Sequence, residues 1–575
     1  MGFAEHLLGI SRNLAAAHFL SGFLLFIVGW SYGLPRGIVF GIPILAYSSA
    51  FFFSRGDFVG FDFKILRQKF AEIPTLAMVI VLLFLVLNFL FCLLPPAENL
   101  EMDALNYHFT IPWQYYLRGA VVNLEWSITD KYPLYLQMAQ LPFTVMTFPW
   151  IIKIANMMAL PILLVGAWHL CRHLGLSQRN TGWTVALISF LALFIKQYGT
   201  AMFDLIIASY CLVGVLFLLQ AVRSKKKKDL LWGAMLLGMA CAAKAFLVYY
   251  AMTWFLAYIT WKFFFERRPF LKFDLLVASL PLLFAVLFLM PVWLRNFLLT
   301  GNPFYPLFLQ WFGPVIENKG FHVMMGNSVT QHGYGHSLVD FILGPLRLIL
   351  PIPRKFDYWT DPVLLVFLIG ALFEVRRRWR EIPGLLGLLA FLLYTAFFFT
   401  SQEARYLYVF WVLIIALGAP SIFSHTHLQL RRTVFTAQVV FGLAMFFLFH
   451  RQALEWLSQG PLNQYLSRAA YSFMWNQEVK NRNIHQLCIP NVGTAKRNVS
   501  DILYFSVPIK LVQHFNTTLS IRNPRAAEGC DAFLIGNQWV KGRGWIADHF
   551  NSKLMLVSKE TFLLQYTKDT YELAK

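Results

Sequence analysis

This sequence is poor in charged residues. Only 14% of its 575 residues are Asp, Glu, Lys or Arg, whereas 58% are hydrophobic and 57 are Phe. A soluble globular domain carries roughly 25% charged residues, so this composition excludes a soluble enzyme, a disordered chain and a fibrous repeat. Cysteine is also scarce, and six Cys in a chain of this length exclude a disulfide framework. The class that remains is an all-α polytopic membrane protein.

The N-terminal apolar segment lacks the small-residue cleavage site of a signal peptide, and apolar segments continue far beyond it. A membrane-spanning helix needs roughly 20 mostly apolar residues, and about thirteen segments of the sequence approach this requirement. They are 14–32, 37–53, 76–94, 151–170, 183–198, 205–222, 230–243, 245–261, 275–294, 358–373, 382–399, 406–423 and 434–449.

Basic residues gather in alternate loops between these segments, as the positive-inside rule expects of cytoplasmic loops. Clear examples are 64–69, 223–228, 262–272 and 376–380. The net charge of +20 is therefore a signal of topology, and we predict no nucleic-acid partner. The pattern places the N-terminus in the cytoplasm. An odd number of spans then places the C-terminus outside it, in a periplasm or lumen.

Two of the predicted external loops are long, at 95–150 and 295–357. Loops of this length inside a compact domain are usually functional. Residues 1–450 are therefore predicted to form a transmembrane domain that carries these two loops.

The remaining residues, 451–575, have the composition of a soluble domain. Short segments rich in β-forming residues predict strands at 532–535, 554–557 and 562–566. We predict a small α/β extracytoplasmic domain here. Cys488 and Cys530 both lie in it, where an oxidising compartment would let them pair; the alternative is two separate thiols.

The first long loop opens with carboxylates just past the end of a span. They are Glu98, Glu101 and Asp103, and Tyr107 and His108 follow one helical turn after the last. A partly desolvated carboxylate at the membrane–water interface binds a proton more readily and can serve as a general base. The alternative is a solvated loop acid near a span end. Residues 109–118, rich in Trp and Tyr, predict a helix in the interface.

Six short motifs follow one another in an order that resembles bacterial GT-C glycosyltransferases, the family-39-like relatives of protein O-mannosyltransferases and aminoarabinose transferases. The motifs are 102–108 with Asp103, Tyr132-Pro133-Leu134, 201–205 with Asp204, Ala243-Lys244-Ala245, 295–306 beginning Arg295-Asn296, and 403–407 with Arg405. Leu134 replaces the second proline of the family's Tyr-Pro-Pro segment. The resemblance extends over roughly 76–416, so the first two spans and the C-terminal region fall outside it.

The resemblance implies a GT-C fold and an inverting enzyme of the bacterial inner membrane. It would move a sugar from a polyprenyl-phosphate-linked donor to an acceptor glycan, lipid or protein on the extracytoplasmic face, with Asp103 as the general base and no cofactor. Such a reaction needs a carboxylate and cations together, because the acceptor hydroxyl loses a proton and the leaving group is a lipid phosphate.

Three cations lie at the external ends of predicted spans: Lys244, Arg295 and Arg405. Each can bind a phosphate oxygen, the arginines in bidentate fashion. The alternative for each is a side chain that only extends to the interface. Asp204 is expected to position substrate, hold a cation or cap the helix that begins at 205.

Three further residues complete the predicted substrate-binding site: Tyr107, His108 and Asn296. Tyr107 would position substrate, and His108 would hydrogen-bond a sugar or phosphate or else serve the structure. His332 and His336 lie in a Gly-rich segment where a divalent metal is conceivable, but we assign no metal.

Two other classes of protein remain open. An O-antigen ligase or polymerase would place its essential Arg and His in the late loop, around Arg347 or His336. A lipid or oligosaccharide transporter would carry polar residues at mid-bilayer and internal repeats, and the sequence shows little of either.

Overall fold

The computed structural model describes most of the first 458 residues and five short strands beyond them. The described ranges are 3–59, 72–93, 107–124, 129–146, 153–266, 269–305, 308–312, 335–349, 361–400, 402–425, 428–458, 487–490, 509–512, 532–536, 555–556 and 561–565. The predicted base Asp103 lies outside these ranges, as do Glu98, Glu101, His332 and Cys530.

Helices account for most of the described residues. They are α1 (Phe3–Ser31), α2 (Arg36–Val59), α3 (Thr75–Cys92), α4 (Thr110–Leu117), α5 (Tyr135–Ala139), α6 (Leu141–Val145), α7 (Ala159–His173), α8 (Gln178–Ser189), α9 (Ala192–Ile195), α10 (Asp204–Ser224), α11 (Lys227–Ala242), α12 (Tyr249–Thr260), α13 (Lys272–Thr300), α14 (Leu309–Phe312), α15 (Leu338–Ile349), α16 (Leu364–Arg377), α17 (Ile382–Phe399), α18 (Tyr408–His425) and α19 (Leu428–Ser458).

Within the described ranges, eight helices are long and apolar enough to cross a membrane. They are Glu5–Ser31, Arg36–Arg55, Thr75–Cys92, Ile154–His173, Asp204–Ser224, Lys272–Thr300, Ile382–Phe399 and Ala404–Phe423. The chain is therefore an all-α integral membrane protein in this region. The other five predicted spans coincide with α8, α11, α12, α16 and α19, and their crossing of the membrane remains a prediction.

One predicted span is interrupted. The segment 183–198 was expected to be a single helix, but α8 ends before Phe190 and a separate turn, α9, follows. The Asp361 carboxylate accepts from the Ala192 N–H at 2.9 Å and from the Gln438 amide at 2.6 Å. The same amide donates to the Phe190 carbonyl at 2.9 Å. These side chains replace helical hydrogen bonds at the break, and they come from parts of the chain far away in sequence.

Successive long helices run in opposite directions, so their connections gather at two ends of the bundle. At one end, which we call the site end, Asn88 accepts from the Gly199 N–H at 2.9 Å and joins α3 to the start of α10. At the opposite end, Arg223 donates to the His173 carbonyl at 3.1 Å. The described basic residues of 223–228, 262–272 and 376–380 lie at that opposite end, where Lys225 and Lys262 pair with Asp274 and Arg378 donates to the Leu174 carbonyl at 3.4 Å. Which end faces the cytoplasm remains a prediction.

The described parts of the first long loop, residues 107–124 and 129–146, pack into the bundle. Tyr135, at the start of α5, is buried, and its ring lies 5.1–5.5 Å from those of Phe19, Phe23 and Phe26 of α1. Its hydroxyl donates to the Phe288 carbonyl of α13 at 2.7 Å. The predicted helix at 109–118 is present as α4, but its residues are mainly buried. The described part of the loop is therefore held against α1 and α13.

Helix α15 returns the second long loop to the site end. Ser337 and Asp340 cap its N-terminus reciprocally. The Phe341 carbonyl accepts from the Tyr394 hydroxyl of α17 at 2.7 Å. Just before the helix, the Gly335 carbonyl accepts from Gln402 at 2.8 Å, which holds this loop beside residues 402–405.

The C-terminal strands are β1 (Leu487–Pro490), β2 (Ile509–Val512), β3 (Ala532–Gly536), β4 (Met555–Leu556) and β5 (Thr561–Gln565). They form one sheet in the order β2-β1-β3-β5-β4, parallel on the β1 side and antiparallel around β5. The last three occur where strands were predicted. Helix α19 continues past the predicted domain boundary at 450, and an extracytoplasmic α/β domain remains a prediction.

Candidate functional site

A partly buried ion-pair cluster lies at the site end, and we call it the Asp204 cluster: Asp204, Lys244, Glu403 and Arg405. Lys244 Nζ is 2.5 Å from Asp204 Oδ1. Arg405 Nη1 is 3.8 Å from Asp204 Oδ2, and its Nε is 2.5 Å from Glu403 Oε2. Three predicted site residues from separate motifs therefore meet in space. Asp204 pairs with Lys244, and it is the first residue of α10, whose N-cap position is Phe203.

Helix breaks and an aromatic ring position the two cations. Lys244 has extended backbone between α11 and the turn Ala245–Val248, so its side chain is not confined to a helix face. The Tyr406 ring lies below both cations, 5.2 Å from Lys244 Nζ and 5.4 Å from Arg405 Cζ. Its carbonyl accepts from the Tyr250 hydroxyl at 3.1 Å. Cations over an aromatic face are stabilised by the quadrupole of the ring, so the Tyr406 ring helps to hold both Lys244 and Arg405 in place.

The loop before Asp204 needs a glycine. Gly199 has φ +66°, and a Cβ on it would lie 2.0 Å from the Cβ of Phe91. Asn156 donates to the carbonyls of Thr200 and Met202 at 2.9 and 3.2 Å. These contacts place the segment before α10 against the turn Ile154–Met158, which leads into α7.

A second buried cluster, the Asp130 cluster, consists of Asp130, Lys131 and Arg295. Arg295 donates to the Asp130 carbonyl at 2.8 Å, to its carboxylate at 3.2 Å and to the Val122 carbonyl at 2.7 Å. Lys131 pairs with the Asp130 carboxylate and donates to Asn123 at 2.6 Å. All three side chains are at most 2% exposed. Arg295 thus ties α13 to the first long loop.

Asn296 strengthens the same attachment. Its amide donates to the Lys131 carbonyl at 2.9 Å and to the Tyr305 carbonyl at 3.2 Å. The sequence identified Arg295 and Asn296 but missed Asp130 and Lys131. The available signal was their position directly before the Tyr132-Pro133 segment.

The two clusters differ in charge balance. The Asp204 cluster contains two carboxylates and two cations. The Asp130 cluster contains two cations and one carboxylate among the residues that the structure describes. Burial raises the pKa of Asp130, while the adjacent Lys131 and Arg295 oppose that shift.

Tyr107 and His108 connect the two clusters. The His108 ring is fully buried, 4.5 Å from the ring of Phe203, and its Nδ1 lies 2.9 Å from the Gln137 amide. The Tyr107 ring lies 6.4 Å from the ring of Tyr132, which follows Lys131 in the chain. Both predicted substrate-binding residues therefore lie between the clusters.

The late-loop residues have partners of their own. His336 Nδ1 lies 3.2 Å from the Gln402 amide, and Arg347 pairs with Asp340.

Across the described part of the chain, no three His, Cys, Asp or Glu side chains are arranged to hold a metal ion. Cys171, Cys211 and Cys241 are buried free thiols.

Similarity to known proteins is confined to three-dimensional structure. No family model matches the chain, and no curated protein matches it significantly. The structure of ArnT from Cupriavidus metallidurans bound to undecaprenyl phosphate aligns with 86% of this chain and 98% of its own, with 12% identity and a TM-score of 0.50. The apo form of ArnT gives a TM-score of 0.53 over the same coverage.

ArnT is an aminoarabinose transferase with a GT-C fold. The chain has this fold, so the predicted resemblance is confirmed at the level of fold. An archaeal oligosaccharyltransferase, AglB from Archaeoglobus fulgidus, reaches only 0.42 at 13% identity over 85% of this chain and 74% of its own, which is too low to support any inference.

Proposed function

We propose that this protein is a membrane glycosyltransferase that moves a sugar, with inversion, from a polyprenyl-phosphate-linked donor to an acceptor on the extracytoplasmic face. The observation that carries the proposal is the pair of buried cations, Lys131 and Arg295, at the site end of a fold shared with an enzyme bound to undecaprenyl phosphate. Lysine and arginine are the side chains that bind phosphate oxygens most strongly, so this cluster fits an anionic ligand.

The lipid phosphate would bind at Lys131 and Arg295. Lysine and arginine form the strongest hydrogen bonds with phosphate. These bonds are stronger in a buried site, because the local dielectric constant is lower there than in water. Lys131 joins Arg295 here as a proposed ligand, and Asn296 supports both by fixing the Lys131 backbone at 2.9 Å.

Lys244 and Arg405 were expected to bind the phosphate as well. Their positive charges are already matched by Asp204 and Glu403, so we propose that they orient Asp204 and the sugar end of the donor. Asp204 positions substrate, with Tyr107 and His108 between it and the phosphate site.

Asp103 is the proposed general base. Its position four residues before Tyr107 limits the chain between them to about 14 Å, which keeps the carboxylate within reach of both clusters. The acceptor hydroxyl gives its proton to Asp103 while its oxygen forms a bond with the anomeric carbon from the face opposite the leaving group. The bond from that carbon to the phosphate oxygen breaks, and the lipid phosphate leaves with the electron pair.

The test is Asp103→Asn in the purified full-length protein. The variant should fold and bind donor lipid, with turnover lowered by about 10²–10⁴ because a positioned general base is lost. Asp103→Glu should be intermediate, since the carboxylate is kept but displaced. Glu101→Gln is the matched control and should have a much smaller effect. Sugar transfer near the wild-type rate by Asp103→Asn would remove the role assigned to Asp103.

The alternative functions lack a specific observation in their favour. The ligase or polymerase interpretation relies on Arg347 and His336, whose described contacts are with Asp340 and Gln402. The transporter interpretation predicts unchanged glycan structure in every first-loop variant, which the same Asp103→Asn experiment can detect.

A further inference from the structure

Three glutamine side chains surround the loop that leads to Asp204. Gln137 Nε2 is 2.9 Å from His108 Nδ1, Gln140 Nε2 is 2.5 Å from Asn156 Oδ1, and Gln197 Nε2 is 3.3 Å from Asp204 Oδ2. All three residues are buried. They come from the first long loop and from residues 197–204, the two segments that meet at the His108–Phe203 ring contact.

In each of these amides the nitrogen takes part in a hydrogen bond, whereas the carbonyl oxygen accepts none from the described residues. Within the described ranges, no N–H or O–H donates to the Oε1 atoms of Gln137, Gln140 or Gln197. Buried polar atoms in native proteins are nearly always hydrogen-bonded, and leaving one unpaired is costly. Three unpaired acceptors around one loop therefore indicate a place where a ligand supplies the donors.

The charge around the loop specifies the chemistry of those donors. Asp204 is paired with Lys244 at 2.5 Å, and Glu403 with Arg405 at 2.5 Å. A buried ammonium group needs a carboxylate partner, and these carboxylates already have cationic partners. Hydroxyl groups are neutral donors that an amide carbonyl accepts readily. The described surroundings therefore favour a neutral ligand with several hydroxyls over a cationic one.

We propose that Gln137, Gln140 and Gln197 bind the sugar of the lipid-linked donor and select a neutral, polyhydroxylated sugar over an amino sugar. This inference rests on the proposed function, since it assigns the sugar end of the same donor. Gln137 also holds His108, which would place the imidazole against the sugar. Gln197 links the sugar site to Asp204.

The experiment measures the affinity of the purified full-length protein for three lipids. They are undecaprenyl phosphate, undecaprenyl phosphate carrying glucose, and undecaprenyl phosphate carrying 4-amino-arabinose. The wild type should bind the glucose lipid at least about tenfold more tightly than the bare phosphate, because the sugar hydroxyls donate hydrogen bonds to the glutamine carbonyl oxygens. The amino sugar should add no affinity.

Gln137→Leu and Gln197→Leu should each remove most of the gain from glucose and leave the affinity for bare undecaprenyl phosphate unchanged. Gln178→Leu is the matched control. Its Oε1 is also buried without a donor, but it begins α8 at the opposite end of the bundle, so the gain from glucose should persist. Gln137→Glu keeps the shape of the side chain and adds a carboxylate, so it should shift preference towards the amino sugar.

Different outcomes separate the two proposals. Equal affinity for all three lipids in the wild type, or an unchanged gain in Gln137→Leu and Gln197→Leu, would show that these amides do not bind sugar while leaving phosphate recognition intact. Tighter binding of the amino-sugar lipid by the wild type would overturn the selectivity. Failure to bind any of the three lipids would overturn the proposed function, and this inference with it.

Discussion

The Asp204 and Asp130 clusters are built from the same types of residue but differ in exposure. In the Asp204 cluster two carboxylates pair with two cations, and Arg405 and Glu403 are 24% and 22% exposed. In the Asp130 cluster Lys131 and Arg295 both contact Asp130, and all three side chains are at most 2% exposed. Hydrogen bonds between cations and phosphate are stronger where burial lowers the local dielectric constant. The difference in exposure therefore favours the Asp130 cluster as the proposed phosphate site.

The largest effect should follow from unbalancing the Asp204 cluster. Lys244→Met leaves the Asp204 carboxylate buried with only the more distant Arg405, and removing one partner of a buried pair costs about 3–5 kcal/mol. Lys131→Met is the matched control, because it leaves Asp130 paired with Arg295 at 3.2 Å, and it should cost less than Lys244→Met. Thermal unfolding in one detergent would measure both. Equal losses of stability would remove the distinction between the clusters.

A second substitution should restore part of this loss. Asp204→Asn added to Lys244→Met removes the unpaired charge, so the double variant should be more stable than the sum of the single effects predicts. The coupling should be about 0.5–3 kcal/mol, obtained from a double-mutant cycle of unfolding free energies. Strict additivity would mean that the 2.5 Å contact contributes nothing.

The loop that carries Asp204 should also be sensitive. Gly199→Ala places a side chain at φ +66° and against Phe91, and a left-handed backbone costs a non-glycine residue roughly 1–2 kcal/mol before any clash. Turnover should fall with stability because Asp204 moves. Gly41→Ala is the control, since it lies in helix α2 with nothing within 4 Å, and alanine there should be neutral or stabilising. A harmless Gly199→Ala would contradict the constrained loop.

The smallest effect on stability should come from Arg405→Met. This side chain is 24% exposed, and partly exposed ion pairs contribute roughly 0–1 kcal/mol. Turnover should nevertheless decline while the affinity for bare undecaprenyl phosphate stays constant, because Arg405 orients the sugar end. Loss of phosphate affinity in this variant would return Arg405 to the role of phosphate ligand.

Much of the architecture could be predicted from the sequence because it depends on local composition. Within the described ranges, eight of the predicted spans coincide with helices long and apolar enough to cross a membrane, since apolar length is a local property. The gap between α8 and α9 could not be predicted, because Asp361 and Gln438 stabilise it from remote parts of the chain.

The site was predictable where motifs marked it. Asp204, Lys244 and Arg405 were identified in separate loops and meet in one cluster. Asp130 and Lys131 were missed because adjacent opposite charges in a long loop are typical of a solvated surface, and their burial depends on Arg295 from a distant helix. The unpaired glutamine oxygens cannot be read from sequence at all, since they are defined by what surrounds them.

The most direct test of the central claim is the affinity of Lys131→Met and Lys244→Met for undecaprenyl phosphate, measured on stable, purified protein at one ionic strength. We predict that the affinity of Lys131→Met for undecaprenyl phosphate falls by about tenfold or more, since a hydrogen bond to a charged group contributes about 1.5–3 kcal/mol. Lys244→Met should bind this lipid nearly as tightly as the wild type. Retained affinity in Lys131→Met together with lost affinity in Lys244→Met would contradict it.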